Sequence, residues 1–336
     1  MAREQRSARG PLDPRVLALS PALRTHLVVS SALAGLVAAA VLVQAESLSR
    51  LLPRLVAGDA DAAAPLVAAL LAVGLVRAAA AAATERSATR ALVATRRAIR
   101  DRVLDHLAVV KPAHRDELGP ARVAALTTTA IDALEPWVRA YLPGLVLAVV
   151  VPISAGLRIL GADLLSAVIL AVVVPLVPVF MILIGKATED RAASQWDALQ
   201  RLSARFLDTL TGLPTLRLFG RADAQVSRVR EVTDRYRQAT LGPLRIAFLS
   251  ALVLELLSTL SVALVAVSLG IRLTEGHLDL QTALVVLLLA PECLLPIRRV
   301  SAAFHAAAAG VDAADDVAGA LHPPSRPEGA LPPTRA

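Results

Sequence analysis

Six runs of this chain are apolar over about the 20 residues that a membrane-crossing helix needs, and they leave few folds open. They are Leu27 to Val43, Ala62 to Ala83, Val138 to Leu157, Leu164 to Ile184, Leu244 to Ile271, and Leu280 to Ile297. Each is apolar on every side, so none fits the surface of a water-soluble domain, where one face is polar. The second run is rich in alanine and carries Arg77. The whole chain agrees: 56% of its 336 residues are hydrophobic and only 19% are charged, where a soluble domain has about 25% charged. The expected fold class is therefore an all-α membrane protein. A leader cleaved after Val43-Gln44-Ala45 is the competing reading of the first run, and it would leave five spans.

The basic residues set the orientation. Of 35, 33 are arginine, and cytoplasmic segments of membrane proteins collect such residues. They crowd the N-terminal arm, the stretch from Arg86 to Arg122, the stretch from Lys186 to Arg237, and Arg298-Arg299. With six spans and both termini cytoplasmic, all of these fall on one side. The remaining connections are short and hold only Arg50, Arg54, Arg158 and Arg272. On a membrane protein this excess of arginine points to anionic lipid. Aromatic residues make up only 3%, too few for base stacking, so nucleic acid is not an expected partner.

The two long basic stretches read as helices, not linkers. Leu92, Ile99, Val103 and Leu107 recur at steps of seven and four, a helical stripe. The second span should therefore continue to Val110, about 39 Å past the membrane at 1.5 Å per residue. Lys111-Pro112 should end it, and a return helix from about Ala121 should lead through Ile131 and Leu134 into the third span. In the second stretch Ala192, Trp196, Leu199, Ser203, Phe206 and Leu210 alternate steps of four and three, a coiled-coil-like seam. Gly212 and Pro214 interrupt it. A charged helix from about Ala222 to Thr240 then returns to Gly242-Pro243 and the fifth span. The stripes either pack on each other or meet a partner.

Several short motifs sit on this frame: Leu12-Asp13-Pro14-Arg15; Ala130 to Trp137, reading AIDALEPW, with Tyr141-Leu142-Pro143; Gly212 to Arg221, reading GLPTLRLFGR; and Pro291-Glu292 with Leu295-Pro296-Ile297-Arg298, followed by Phe304-His305-Ala306. Together with the six spans they resemble the membrane half of type IV ABC exporters. In particular they resemble the CydD-type subunits of heterodimeric exporters that serve cytochrome bd assembly and are described as exporting thiol reductants. The resemblance covers the chain to about Leu321. It implies an N-terminal cytoplasmic arm at 1–26, an exporter transmembrane domain at 27–321 with long cytoplasmic helix extensions, and a Pro-rich tail at 322–336. It also implies a cytoplasmic-membrane location and a CydC-like second subunit. Cys293-Leu294 departs from the family, which has aromatic residues there.

The resemblance leads on to a nucleotide-binding domain, and no phosphate-cradling motif occurs in these 336 residues. The only Gly-Lys pair, Gly185-Lys186, has Phe180 where the first glycine of a P-loop stands and Ala187 after it. The expectation is that this polypeptide is not an enzyme by itself. ATP and Mg²⁺ would bind nucleotide-binding domains of another chain, and no cofactor would bind here, with haem possible only as cargo. Closure of those domains would push on the turns near Arg122 and Leu126 and near Trp196, Leu199 and Phe206.

Ionisable residues within spans are costly and default to functional hypotheses. Glu292, between Pro291 and Pro296, either lines a cargo path or fixes a helix kink. Arg299 lies two turns on, nearly on the same face. Glu255 in the fifth span serves the path or pairs with an arginine, and Arg77 can snorkel inward. An acid and a base on one stripe suit a zwitterionic thiol or haem propionates. No metal site is expected, because the six histidines are scattered and no pair has zinc-helix spacing. Lone Cys293 reads as a small apolar residue. The expected function is the membrane subunit of an ATP-driven exporter of cysteine or glutathione-type thiols, or of haem. The alternative is a non-transporting membrane scaffold or truncated half-transporter that aids cytochrome assembly.

Overall fold

The computed structural model describes residues 20–109, 132, 134–181, 183, 218–220 and 222–321. Six long helices carry the fold. They are α1 (Pro21–Val56), α2 (Ala60–Val109), α3 (Leu142–Leu160), α4 (Leu164–Met181), α5 (Ala222–Thr274) and α6 (Leu280–Leu321). All six are long and apolar enough to cross a membrane, and no strand occurs among the described residues. The expected all-α, six-span exporter fold is what the chain adopts.

α1 starts where Ser20 accepts a hydrogen bond from the Ala22 amide, with Pro21 opening the first turn. It passes unbroken through Val43–Ala45, the segment that reads as a leader cleavage site. A turn at 57–59, with Gly58 at φ 78, leads into α2, and Asp59 caps that helix by accepting from the Ala62 amide. The left-handed conformation suits glycine because it has no Cβ. α2 is continuous for 50 residues, so the expected extension of the second span is present up to Val109. The turn 161–163 joins α3 to α4, and 275–279 joins α5 to α6, with Gly276 at φ 74. These three connections define a short-turn end.

Two features depart from expectation. α5 runs on through 242–243, where a break at Gly242-Pro243 is expected. A proline inside a helix removes one hydrogen bond, which a long apolar helix tolerates when neighbouring groups satisfy the freed carbonyl. Before α3, residues Trp137–Tyr141 form a π-helical turn in which the Leu142 amide bonds to the Trp137 carbonyl.

The chain divides into two compact units: residues 1–164 with 272–336, and residues 165–271. In the first, one cluster joins Leu23 of α1, Leu92, Ile99 and Val103 of α2, Leu134, Trp137, Tyr141 and Leu142, and Val300 of α6. Leu92, Ile99 and Val103 of the α2 stripe are buried as their spacing predicts, and the Leu107 side chain lies outside the described residues. The Gly144 backbone comes so near Val300 that an added Cβ would lie 3.2 Å from its Cγ2, which brings α3 and α6 into close contact. In the second unit, Leu254, Ser258, Ser261, Val265 and Leu269 form a buried stripe on α5. Leu252, Leu256, Leu260 and Leu264 are exposed on its other faces.

Candidate functional site

Polar groups meet in three places within the first unit. The first lies inside the apolar spans and uses α1, α2 and α6. Arg77 Nη1 donates to Gln44 Oε1 at 2.6 Å and reaches Glu292 Oε1 at 3.5 Å. The Arg77 and Glu292 side chains are 33% and 26% exposed. The two bonds differ in kind. A charge-assisted N–H···O bond is normally about 2.7–2.9 Å, so Gln44 anchors the guanidinium and Glu292 holds it only loosely. Arg77 therefore does not snorkel away from the short-turn end. Side chains lean toward the N-terminus of their helix, and for α2 that is toward Gln44. Glu292 has an arginine partner, and α6 continues through both flanking prolines as one helix.

Two further candidates are Arg299 and Glu255. Arg299 is exposed on α6. Glu255 is exposed on α5 and belongs to the second unit. The coupling candidates Arg122, Leu126, Trp196, Leu199 and Phe206 lie outside the described residues, as do the seam at 192–210 and the tail at 322–336. Among the described residues there is no group of His, Cys, Asp or Glu that could hold a metal ion. Cys293 is buried beside Glu292.

The second place is a buried knot at the opposite end from the short turns. His26 is 1% exposed. Its Nε2 donates to the Val138 carbonyl at 3.0 Å, and its Nδ1 lies 2.9 Å from Ser87 Oγ. A carbonyl can only accept, so Nε2 carries the proton and the Ser87 hydroxyl can donate to Nδ1. Around the knot Arg96 pairs with Asp132 at 2.8 Å, Arg139 with Glu135 at 2.9 Å, and Arg139 also with Glu85. The AIDALEPW motif thus ends on the π-helical turn and the ion network.

The third place is the short-turn end. Glu46 accepts from Arg50 Nη2 at 2.7 Å, Arg158 Nη2 at 2.9 Å and Gln281 Nε2 at 3.3 Å. Asp163, 4% exposed at its side chain, pairs with Arg272 at 2.6 Å. Sequence reasoning leaves Arg158 in a short connection and passes over Gln44, Glu46, His26, Ser87 and Asp163 as site residues. The available signal was Gln44 and Glu46 at the end of an apolar run.

Residues 27–291 match the family described as the ABC transporter transmembrane region. The chain is 37% identical over 226 residues to the glutathione/L-cysteine transport system ATP-binding/permease protein CydC of Bacillus subtilis. It is 39% identical over 228 residues to the corresponding CydD of Escherichia coli, and 35% identical over 256 residues to the transport ATP-binding protein AarD of Providencia stuartii. These matches take in 67%, 66% and 74% of the chain, but only 40%, 39% and 44% of the relatives. The chain thus spans about two fifths of the length of the curated relatives it matches. Their names join ATP binding and permeation in one polypeptide. That overturns the expectation that this protein is not an enzyme by itself and that ATP hydrolysis falls to another chain. The six spans, the long α2 and the match over residues 27–291 together make the chain a multi-pass membrane protein of the ABC transporter transmembrane region family, of the CydC/CydD type.

Proposed function

We propose that the chain forms the membrane path of an ATP-driven exporter of small thiols of the cysteine or glutathione class, working with a CydC-like second subunit in support of cytochrome bd assembly. Haem is the other cargo that an acid and a base in the path would suit. In this reading the protein sits in the cytoplasmic membrane with both termini inside, as the arginine distribution favours, and the short-turn end faces out. The observation that carries the reading is the Gln44–Arg77–Glu292 group. A lipid-facing carboxylate at the centre of a span costs at least about 2.5 kcal/mol, so Glu292 belongs beside protein or a wetted cavity. Its long 3.5 Å bond to Arg77 makes it an exchangeable partner. A zwitterion can give its carboxylate to Arg77 and its ammonium to Glu292 while Gln44 keeps the guanidinium in place.

The test is Glu292→Gln in the full-length transporter reconstituted with its partner subunit. Cysteine-stimulated ATPase activity should fall while basal activity and yield hold. Loss of folded protein without a selective loss of stimulation would assign Glu292 to structure. Absence of thiol stimulation in the parent protein would favour the non-transporting scaffold.

A further inference from the structure

We infer that Glu46 is the gate residue at the short-turn end, the group whose release opens the exit of the path; this rests on the transport reading above. Its carboxylate reaches three donors from three helices. Arg50 lies one turn along α1 and pre-orients the carboxylate. Arg158 comes from the last turn of α3, and Gln281 from the first turn of α6. Glu46 therefore pins α3 and α6 to α1.

The position suits an exit. Gln281 and Glu292 are 11 residues apart, three turns of helix, so they share one face of α6. Cargo leaving Glu292 along that face meets the Glu46 contact. The start of α6 is itself well fixed. Asp279 accepts from the Thr282 amide at 2.9 Å and from the Thr282 hydroxyl at 2.7 Å, so Gln281 is held where Glu46 can reach it.

The strength suits an exit as well. Glu46 and Asp163 both hold arginine at this end, and their pairs are built differently. The Asp163 side chain is 4% exposed and its Arg272 partner 28%, at 2.6 Å, so parting them strands a buried carboxylate. Glu46 is 26% exposed, and Arg158 and Arg50 are 39% and 50% exposed. Water can replace each Glu46 partner as it leaves, and such pairs are weakly held. The Asp163 pair is fixed; the Glu46 set can open and close.

The test uses the full-length transporter with its partner in right-side-out membranes. Ser49, 0% exposed and one turn from Glu46, is replaced by cysteine and challenged from outside with a membrane-impermeant maleimide. Glu46→Gln should raise the labelling rate several-fold, the effect of weakening two exposed ion pairs. The exchanged pair Glu46→Arg with Arg158→Glu should return it toward the parent rate. The exchanged pair also serves if Glu46→Gln does not insert. Parent-like labelling in Glu46→Gln, or no recovery in the exchanged pair, overturns the gate. Cysteine-stimulated ATPase is measured in the same membranes. Its absence in the parent removes the transport reading and the gate with it, and leaves any labelling change as evidence for a clamp alone.

Discussion

The knot at His26 and the group at Arg77 both place polar side chains among apolar helices, and they solve the problem differently. His26 is buried, and each ring nitrogen has its own partner at 2.9–3.0 Å. Its carbonyl partner belongs to Val138, which follows Trp137, itself 0% exposed. Arg77 is a third exposed, with one short bond and one long one. Low dielectric strengthens a satisfied buried network and penalises an incomplete one, so the knot holds one arrangement. The Arg77 group keeps a bond that can be traded. The difference separates polar residues that fasten helices from polar residues that can meet something that moves.

Emptying the buried Trp137 site next to Val138 should have the largest effect. Trp137→Ala empties a fully buried site, and such truncations destabilise by about 3–5 kcal/mol. Thermal unfolding of purified protein in detergent should show it, and a shift no larger than that of an exposed control such as Leu75→Ala would contradict the role of this site. Next comes His26→Ala, which strands the Val138 carbonyl and Ser87, at about 1–3 kcal/mol for each buried group left without a partner. Adding Ser87→Ala should recover part of that loss. Substitution in the Arg77 group should invert the pattern. Gln44→Leu should shift the unfolding midpoint little and lower cysteine-stimulated ATPase, because it frees Arg77 to pair tightly with Glu292. A large loss of stability with normal stimulation would make the two regions alike.

The smallest expected effect lies at the α6 cap. The bonds from Thr282 hold the exposed Asp279 carboxyl below its ordinary range. A carboxylate depressed in the folded state stabilises above its ordinary pKa, and that contribution fades as pH falls through the depressed value. Asp279→Asn should therefore lower the unfolding midpoint slightly at neutral pH, and the difference from the parent should close on acidification. A difference that widens in acid would have the wrong sign.

Much of the frame was legible because it depends on residue type and period. The six apolar runs are the six spans, and Leu92, Ile99 and Val103 are buried on the face their spacing marks out. Arg77 and Glu292 stood out because a charge in a span is rare. Their pairing was not legible, since it needs α2 and α6 side by side, and Gln44 carries no charge to draw attention. His26 looked like one scattered histidine because its partners are a serine 61 residues away and a backbone carbonyl. Gly242-Pro243 looked like a break because local preference says so, and the helix continues because its length outweighs one lost bond. The π-helical turn had no visible signature, as Pro136-Trp137 fits an ordinary helix start equally well.

The 50 residues of α2 have a mechanical consequence. The rod is bonded at Ser87, through His26, to α1 and to the turn before α3, and Leu92, Ile99 and Val103 bury its face from there onward. It is therefore gripped from Ser87 to Val103, about 24 Å at 1.5 Å per residue, while Arg77 stands about 15 Å from the nearest grip. A stiff rod held over that length passes any tilt of the gripped stretch on to Arg77. A shift there of about 1 Å matches the difference between its 2.6 Å bond to Gln44 and its 3.5 Å bond to Glu292.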